Sequence, residues 1–335
     1  MSKTKTAGFA VVAGIALTTL MAGTALADPA LVYDGGGKFD ASFNESAYNG
    51  AEQFKADTGQ DYQDLEISGD AQREQAIRQF AARGNNPIVL PGFSWETALR
   101  SVAADFPDTS FLIIDTVVDD LDNVRSVVFK EHEGSFLVGV LAAMATETGT
   151  IGFIPAFDFS LLQSFGCGYK QGARYIDPDV QIIETAIGTG FDAFNNPGGG
   201  TEVALSQIDR GADVIYHAAG GAGVGVLQAA ADSGVLGIGV DSNQNHLHPG
   251  SVLTSMIKRV DVAVYNAFED FANDTWTNDV QVLGLAEDGV GAAFDDNNAS
   301  LITDEMRAAV DDATAKIISG EVVVHDYRTD ESCPV

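Results

Sequence analysis

The amino-acid sequence predicts an α/β fold in which two lobes are each built on a parallel sheet. Short apolar runs such as Phe111–Ile114 alternate along the chain with stretches whose apolar residues recur at helical spacing. Continuous apolar runs are typical of parallel strands buried on both faces, and their alternation with helices gives right-handed βαβ units. The length of 335 residues exceeds one typical domain of about 100–200 residues. Because no low-complexity linker divides the chain, we expect strand crossovers to join the lobes.

The predicted elements follow this alternation from residue 30 onward. The segment 70–83, for example, has Ile77, Phe80 and Ala81 on one helical face and ends before Gly84. We expect strands at residues 30–33, 62–67, 87–90, 110–114, 124–129, 150–154, 180–187, 213–218, 235–240 and 280–285. We expect helices at residues 45–55, 70–83, 133–146, 161–175, 201–210, 224–231 and 256–272.

The first 27 residues have the composition of an export signal. Lys3 and Lys5 precede an apolar run at residues 8–20, and residues 25–27 fit the small-x-small rule for cleavage. The run is shorter than the roughly 18 residues of a membrane-spanning helix. No cysteine lies near the predicted cleavage point, which argues against a lipid anchor. We therefore expect residues 1–27 to be a signal peptide, cleaved near Ala27, and the mature chain to be periplasmic.

The acidic composition restricts the class of partner. The formal net charge is -30, from 48 acidic and 18 basic side chains. Such a surface repels the phosphates of nucleic acid, so we expect a small molecule or a docking protein as partner and no nucleic acid.

Cys167 and Cys333 are the two cysteines. An oxidising compartment permits a disulfide between them, but two free, buried thiols fit the sequence equally well.

Three aspartates occupy the same position relative to a predicted strand. Asp34 precedes the glycine triplet 35–37, Asp115 follows Phe111–Ile114, and Asp241 follows the strand at 235–240. The carboxyl ends of parallel strands border the ligand crevice of an open α/β sheet. A single aspartate at a strand end is as often a turn former. Three of them on one predicted edge favour a binding site whose carboxylates accept hydrogen bonds from a polar ligand.

A second glycine cluster lies at residues 220–225, between a predicted strand and a predicted helix. Its spacing, G-x-G-x-G, differs from the dinucleotide fingerprint, and the unit lies late in the chain. Backbone N–H groups at a helix N-terminus still suit a ligand, although close helix–strand packing would also explain the glycines.

Phe43 and Phe194 stand in predicted loops, where two rings could stack on a flat ligand. Lys258 is a lone cation whose default position is the solvated surface.

Motifs of catalysis are absent from the sequence. Residues 92–96 lack the second glycine of a nucleophile elbow, and no H-E-x-x-H motif or cysteine pair at metal spacing occurs. The five histidines are scattered without motif spacing. We therefore expect no enzyme activity, no catalytic residue, no metal site and no cofactor.

Five stretches in order along the chain carry a family resemblance. They are LVYDGGGKFDASFNESAYNG at residues 31–50, FKEHEGSFLVGVLAA at 129–143, GADVIYHAAGGAGVG at 211–225, GVDSNQ at 239–244 and LTSMIKRVD at 253–261. Together they resemble the basic membrane protein family of solute receptors for ABC transporters, in particular the purine nucleoside receptor type. The resemblance implies a periplasmic-binding-protein type I fold with two Rossmann-like lobes joined by a hinge. It also implies a monomeric receptor for a nucleoside, with permease and ATPase subunits at the inner membrane as partners.

The resemblance implies lobes that each combine two chain segments. We expect residues 28–126 and about 255–280 in the N-terminal lobe, and residues 127–254 and about 281–335 in the C-terminal lobe. Asp34 and Asp241 would bind hydroxyls of the ligand, with Asp241 and Lys258 on the ribose side. Gly220 and Gly221 would approach the sugar.

On the base side, the resemblance implies that Phe43 and Phe194 sandwich the base. Asn44 and Asp115 would meet its polar groups. Phe191 competes with Phe194 for the second stacking position. Residues 154–158, IPAFD, replace a Gly-Gly-Met-Asp-like turn of the family, which leaves ligand choice open. The alternatives are a receptor of the same fold for another polar solute such as a sugar and, with less support, a secreted NAD-dependent oxidoreductase that uses the cluster 220–225.

Overall fold

The computed structural model describes residue 1, residues 3 and 4, and residues 27–335. The predicted export signal lies almost entirely outside the described residues, so its cleavage stays a prediction. Within the part of the chain that is described, no helix has both the length and the apolar character needed to cross a membrane.

Strands and helices alternate along residues 27–335. The strands are β1 Ala30–Tyr33, β2 Gln63–Glu66, β3 Ile88–Leu90, β4 Phe111–Ile114, β5 Val124–Phe129, β6 Thr150–Pro155, β7 Gln181–Glu184, β8 Val214–Ala218, β9 Leu236–Asp241, β10 Val252–Lys258, β11 Val280–Leu283 and β12 Val290–Ala292. The α-helices are α1 Phe43–Thr58, α2 Arg73–Arg83, α3 Glu96–Ala103, α4 Glu131–Ala145, α5 Ser160–Ile176, α6 Pro197–Asp209, α7 Gly223–Asp232, α8 Val260–Ala272 and α9 Asp304–Ser319.

The strands form two six-stranded sheets. Their orders are β11-β5-β4-β3-β1-β2 and β12-β10-β9-β8-β6-β7, and each observed pairing is parallel except that of β10 with β12. The apolar strands β1 and β4 are fully buried, as their composition predicts. Helices cover the faces of both sheets. The α/β fold with two parallel-dominated sheets is thus confirmed.

The prediction of a helix from residue 256 is wrong for its first residues. Residues 256–258 end strand β10, which pairs with β9, and helix α8 begins at Val260. The strand is hidden in the sequence because Thr254 and Ser255 interrupt its apolar run. Both are buried, and their hydroxyls donate to Ala293 O at 2.9 Å and to Asn245 Oδ1 at 2.9 Å. Hydrogen bonds from distant segments therefore make a polar strand centre acceptable.

Sheet membership also bears on the lobe boundaries. The chain leaves the first sheet after Phe129, returns to it after Lys258 and leaves again after Leu283. Helix α8 packs on α1, where a Cβ at Gly50 would lie 2.1 Å from Asp261 O. We propose an N-terminal lobe of residues 28–129 and 259–283 in place of the expected 28–126 and about 255–280. The C-terminal lobe then comprises residues 130–258 and 284–335 in place of the expected 127–254 and about 281–335.

A disulfide settles the question that the two cysteines left open. Cys167 on α5 is bonded to Cys333, with their Cα atoms 5.6 Å apart. The bond closes a loop of 166 residues and fixes the C-terminal segment to the second lobe. Disulfides persist in oxidising compartments, which agrees with the predicted export.

Candidate functional site

One cleft between the lobes collects all the residues predicted for the site. From the first lobe it is lined by Asp34, Phe43, Asn44 and Asp115, and from the second by Phe194, Gly220, Gly221, Asp241 and Lys258. These residues follow strands at the carboxyl edges of the two sheets, where open α/β folds hold their ligands. Their contact with a ligand stays a prediction.

Asp34 is fixed within the first lobe. Its carboxylate accepts hydrogen bonds from Ser94 Oγ at 2.7 Å and from the backbone N–H of Gly35 at 2.7 Å. The guanidinium of Arg73, which is also buried, lies 2.7 Å from Asp34 Oδ1. Burial raises the pKa of Asp34, and the charge of Arg73 opposes this rise. The sequence did not indicate Arg73 or Ser94, because they lie 39 and 60 residues away in the chain.

Asn44 holds the glycine loop with its side chain. The amide Nδ2 donates to Asp34 O at 3.2 Å and to Gly37 O at 3.1 Å, while Oδ1 accepts from the backbone N–H of Asp34 at 3.2 Å. Both amide donors are therefore used inside the first lobe. One lone pair of Oδ1 is left for the predicted contact with a ligand.

Asp40, which the sequence analysis missed, caps helix α1 and lines the cleft. Its carboxylate accepts hydrogen bonds from the backbone N–H groups of Ser42, Asn44 and Glu45 at 2.8, 3.0 and 3.1 Å. Burial raises the pKa of Asp40 to about 7 although these three donors act in the opposite direction. An aspartate a few residues before a predicted helix is a capping signal that could have identified it.

Lys258 lies at the base of the cleft and is almost fully buried, so the default of a solvated surface position is wrong. Its Nζ is 2.7 Å from Asp115 Oδ1 and 3.0 Å from Glu131 Oε1. Burial alone would lower the pKa of Lys258, but the neighbouring carboxylates raise it above its usual value. Burial raises the pKa of Asp115 to about 6 against the influence of Lys258. Arg328 lies 3.1 Å from the other oxygen of Glu131 and completes this charged cluster.

Asp241 forms a hydrogen bond across the cleft. Ser42 Oγ in the first lobe donates to Asp241 Oδ2 at 2.6 Å. Further contacts join the same two segments, since Ser242 Oγ donates to Ser42 O and Gln244 Nε2 donates to Ala41 O. Burial raises the pKa of Asp241, and Lys258 and the Ser42 hydroxyl oppose the rise. The lobes are thus in contact in this structure.

Aromatic rings form much of the remaining cleft wall. Phe43 lies with its ring centroid 5.2 Å from Lys258 Nζ, a cation–π distance. Phe191 and Phe194 both line the cleft and pack edge-to-face with centroids 5.2 Å apart. The choice between them as stacking residue stays open. Phe93 is a further ring in the wall, which the sequence analysis did not identify.

The glycine cluster 220–225 serves two purposes. Gly220, with φ of 53°, and Gly221 line the cleft. A Cβ at Gly223 would lie 1.9 Å from His217 Cε1, and one at Gly225 would lie 2.0 Å from Pro197 O. Close packing therefore explains Gly223 and Gly225. This agrees with the alternative given above, in which the glycines allow a helix and a strand to pack closely rather than bind a dinucleotide.

Comparison with known proteins identifies the family. A family model described as "ABC transporter substrate-binding protein PnrA-like" (Bmp) matches residues 29–328. This chain belongs to the Bmp family. Among its relatives, the CD4+ T-cell-stimulating antigen of Listeria monocytogenes is 33% identical over 326 residues, covering 88% of this chain and 87% of the relative. Basic membrane protein A1 of Borrelia garinii is 31% identical over 296 residues, covering 85% and 84%.

Solved structures agree with this assignment. A solute-binding protein of an ABC transporter system from Aeropyrum pernix is similar to this chain, with a TM-score of 0.81 and 27% identity, covering 89% of this chain and 94% of the other. A corresponding protein from Conexibacter woesei has a TM-score of 0.74 over 90% of this chain and 99% of the other at 24% identity, which supports the fold alone. The resemblance stated from the sequence is confirmed, and so is the type I periplasmic-binding-protein fold. The family role is solute binding and requires no chemistry.

Proposed function

We propose that this Bmp-family protein binds a nucleoside, preferably a purine nucleoside, in the cleft between its lobes. It works as a monomer outside the cytoplasm, in the periplasm, and delivers the ligand to permease and ATPase subunits of an ABC importer at the inner membrane. Closure of the lobes about a hinge would exclude water from the bound ligand.

The observation that carries this proposal is that aromatic rings and carboxylates line the same cleft. Ring faces such as those of Phe43 and Phe194 suit a flat base, for which stacking contributes about 1–3 kcal/mol per base. Carboxylates such as that of Asp241 accept hydrogen bonds from the hydroxyls of a sugar. A nucleoside offers both kinds of group in one molecule.

The charge of the cleft favours a nucleoside over a nucleotide. Four aspartates line the cleft with Lys258 as the cation among them. Lys258 is already paired with Asp115 and Glu131. A phosphate would therefore meet uncompensated negative charge in a buried site, where electrostatic repulsion is strong.

A thermal-shift screen of the mature protein tests the proposal. The ligands are purine and pyrimidine nucleosides, free bases, nucleoside monophosphates, NAD and common sugars. A ligand at about 100 times its Kd adds about 2.7 kcal/mol to the free energy of unfolding, which gives a clear shift. We expect a shift with purine nucleosides and none with monophosphates. A shift with sugars or NAD but not with nucleosides would overturn the proposed ligand and support one of the alternatives.

The variant Asp241→Ala tests the role of the carboxylate. Loss of a hydrogen bond to a charged group costs about 1.5–3 kcal/mol, so we expect nucleoside affinity to fall about 10- to 100-fold by calorimetry. The exposed Asp119 provides a matched control, and Asp119→Ala should bind like the wild type. Unchanged affinity of Asp241→Ala, with the fold intact, would refute this role.

A further inference from the structure

Five phenylalanines form a closed ring of contacts near the cleft. In order around the ring they are Phe93, Phe159, Phe157, Phe194 and Phe191. The ring centroids of successive members are 4.6, 5.8, 5.5, 5.2 and 6.0 Å apart. We refer to this set as the phenylalanine ring. Distances in this range are typical of favourable aromatic pairs.

The phenylalanine ring joins the two lobes through one member. Phe93 follows β3 of the first sheet, whereas the other four members lie between strands of the second sheet. Phe93 stacks on Phe159 with an interplanar angle of 26°, and it meets Phe191 edge-to-face. Opening of the cleft must therefore break these two contacts, while the three contacts within the second lobe can persist.

Phe157 and Phe159 belong to the phenylalanine ring but not to the cleft wall, and of these two only Phe159 contacts Phe93 of the first lobe. Phe93, Phe191 and Phe194 line the cleft, and Phe159 is not among the described residues that do so. It immediately precedes helix α5, next to the segment 154–158 that departs from the family pattern. Phe157 and Phe159 both remain partly exposed, which places them near the cleft mouth rather than in the core.

We propose that Phe159 is a positioning residue that holds the cleft closed by stacking on Phe93. The contact forms between the lobes, and Phe159 itself lies outside the cleft wall. Its loss shifts the protein toward the open arrangement and speeds ligand release, while the groups that touch the ligand stay in place. The statement about release rests on the proposed function, and the statement about closure does not.

An interlobe distance measured without ligand tests the closure directly. Spin labels on cysteines introduced at the exposed Thr97 and Glu202 report on the first and second lobe, respectively. The native cysteines are bonded to each other and do not react. We expect the wild type to populate a short distance and Phe159→Ala to lower the ratio of short-distance to long-distance molecules about three- to tenfold, the range that an aromatic pair supplies. Phe159→Leu, a milder change that preserves an apolar side chain, should give a smaller reduction.

Phe157→Leu is the matched control for Phe159→Leu. Phe157 lies in the same segment as Phe159, but its ring contacts only Phe159 and Phe194 within the phenylalanine ring, and both belong to the second lobe. It should leave the short-distance population unchanged. Identical distance distributions for the wild type and both Phe159 variants would overturn the proposal, as would a wild type without the short distance.

Release of guanosine, followed by stopped-flow fluorescence, provides the second readout. We expect Phe159→Ala to release it about three- to tenfold faster than the wild type, in proportion to the fall in the ratio of short-distance to long-distance molecules. A release rate that stays unchanged would overturn the part of the proposal that concerns release. If guanosine and other nucleosides do not bind while the distance still shifts, the proposed function fails and the closure contact stands.

Discussion

At the residue scale, the acids of the cleft differ in how their charge is compensated. Asp34 is paired with Arg73 and Asp115 with Lys258. Asp241 accepts a hydrogen bond from a serine hydroxyl, and Asp40 accepts three from backbone N–H groups. Asp241 is therefore the acid with most capacity to gain from hydrogen-bond donors on a ligand, whereas three of the roughly four acceptor sites of the Asp40 carboxylate are already used.

Removing the buried cation should reveal how strongly the cluster depends on it. Lys258→Met strands the carboxylates of Asp115 and Glu131 in a buried site. Breaking a buried pair in this way costs about 3–5 kcal/mol, so we expect a loss of that size in the free energy of unfolding at pH 7. The measurement is urea denaturation followed by circular dichroism.

The pH dependence of this loss has a defined sign. Burial already raises the pKa of Asp115 to about 6, and without Lys258 that pKa rises further. The folded variant then binds protons more tightly than the unfolded chain, so its deficit should shrink as the pH falls from 7 toward 5. Lys55→Met, which removes an exposed cation paired with Asp61, is the control and should leave the free energy of unfolding close to that of the wild type, because exposed ion pairs contribute little. A deficit that grows on acidification would contradict this account.

The sequence indicated three acids of the site and, through the family resemblance, Lys258, but it did not indicate Arg73 or Glu131. Asp34, Asp115 and Asp241 could be predicted because each follows a recognisable strand, and all three line the cleft. Arg73 and Glu131 could not, because each lies within a helix where a surface position is the usual expectation. Their burial depends on contacts between segments that are distant in the chain.

At the element scale, helices α4 and α5 approach closely because glycines face the opposing backbone. A Cβ at Gly139 would lie 2.2 Å from Tyr169 O, one at Gly168 2.2 Å from His132 O, and one at Gly172 1.9 Å from Phe136 O. Real Cβ atoms do not approach a carbonyl oxygen so closely. The spacing of the two helices, which carry the disulfide and the start of the second lobe, is therefore set by these glycines.

Gly172→Ala should destabilise the protein although alanine favours helices. The added methyl group forces the two helices apart, and overpacking of this kind costs about 3 kcal/mol. The measurement is the free energy of unfolding in urea. Gly198→Ala is the control, because Gly198 is also helical and its Cβ would meet nothing nearer than 3.8 Å. A wild-type stability for Gly172→Ala would show that the helices can separate without cost.

The predicted elements were most accurate where composition alone decides burial. Strands β1 and β4 are apolar throughout and lie where they were predicted. Strands β10 and β12 and helices α3 and α9 were not predicted. In β10 the polar pair Thr254 and Ser255 hides the strand, since its burial depends on acceptors supplied by residues 245 and 293.

At the scale of the whole molecule, the C-terminal segment returns to the junction of the lobes. Arg328 donates to Phe129 O at 2.9 Å, at the end of β5, and pairs with Glu131 at the start of α4. Cys333, five residues further on, is bonded to Cys167. The two-lobe α/β architecture could be predicted from alternating patterns, but this return path could not, because an irregular segment carries no periodicity that reports its neighbours.

The disulfide should contribute to the stability of the whole chain rather than of the C-terminal segment alone. It closes a loop of 166 residues, and cross-linking so long a loop restricts the unfolded ensemble and stabilises a protein typically by about 2–4 kcal/mol. The double variant Cys167→Ser with Cys333→Ser should therefore unfold at lower urea concentration than the wild type by that free energy. A reducing agent should lower the stability of the wild type to the level of the variant and leave the variant unchanged, which separates loss of the bond from any effect of the serines. Equal stability of the two proteins under oxidising conditions would contradict the prediction and show that Arg328 and its contacts hold the segment without the bond.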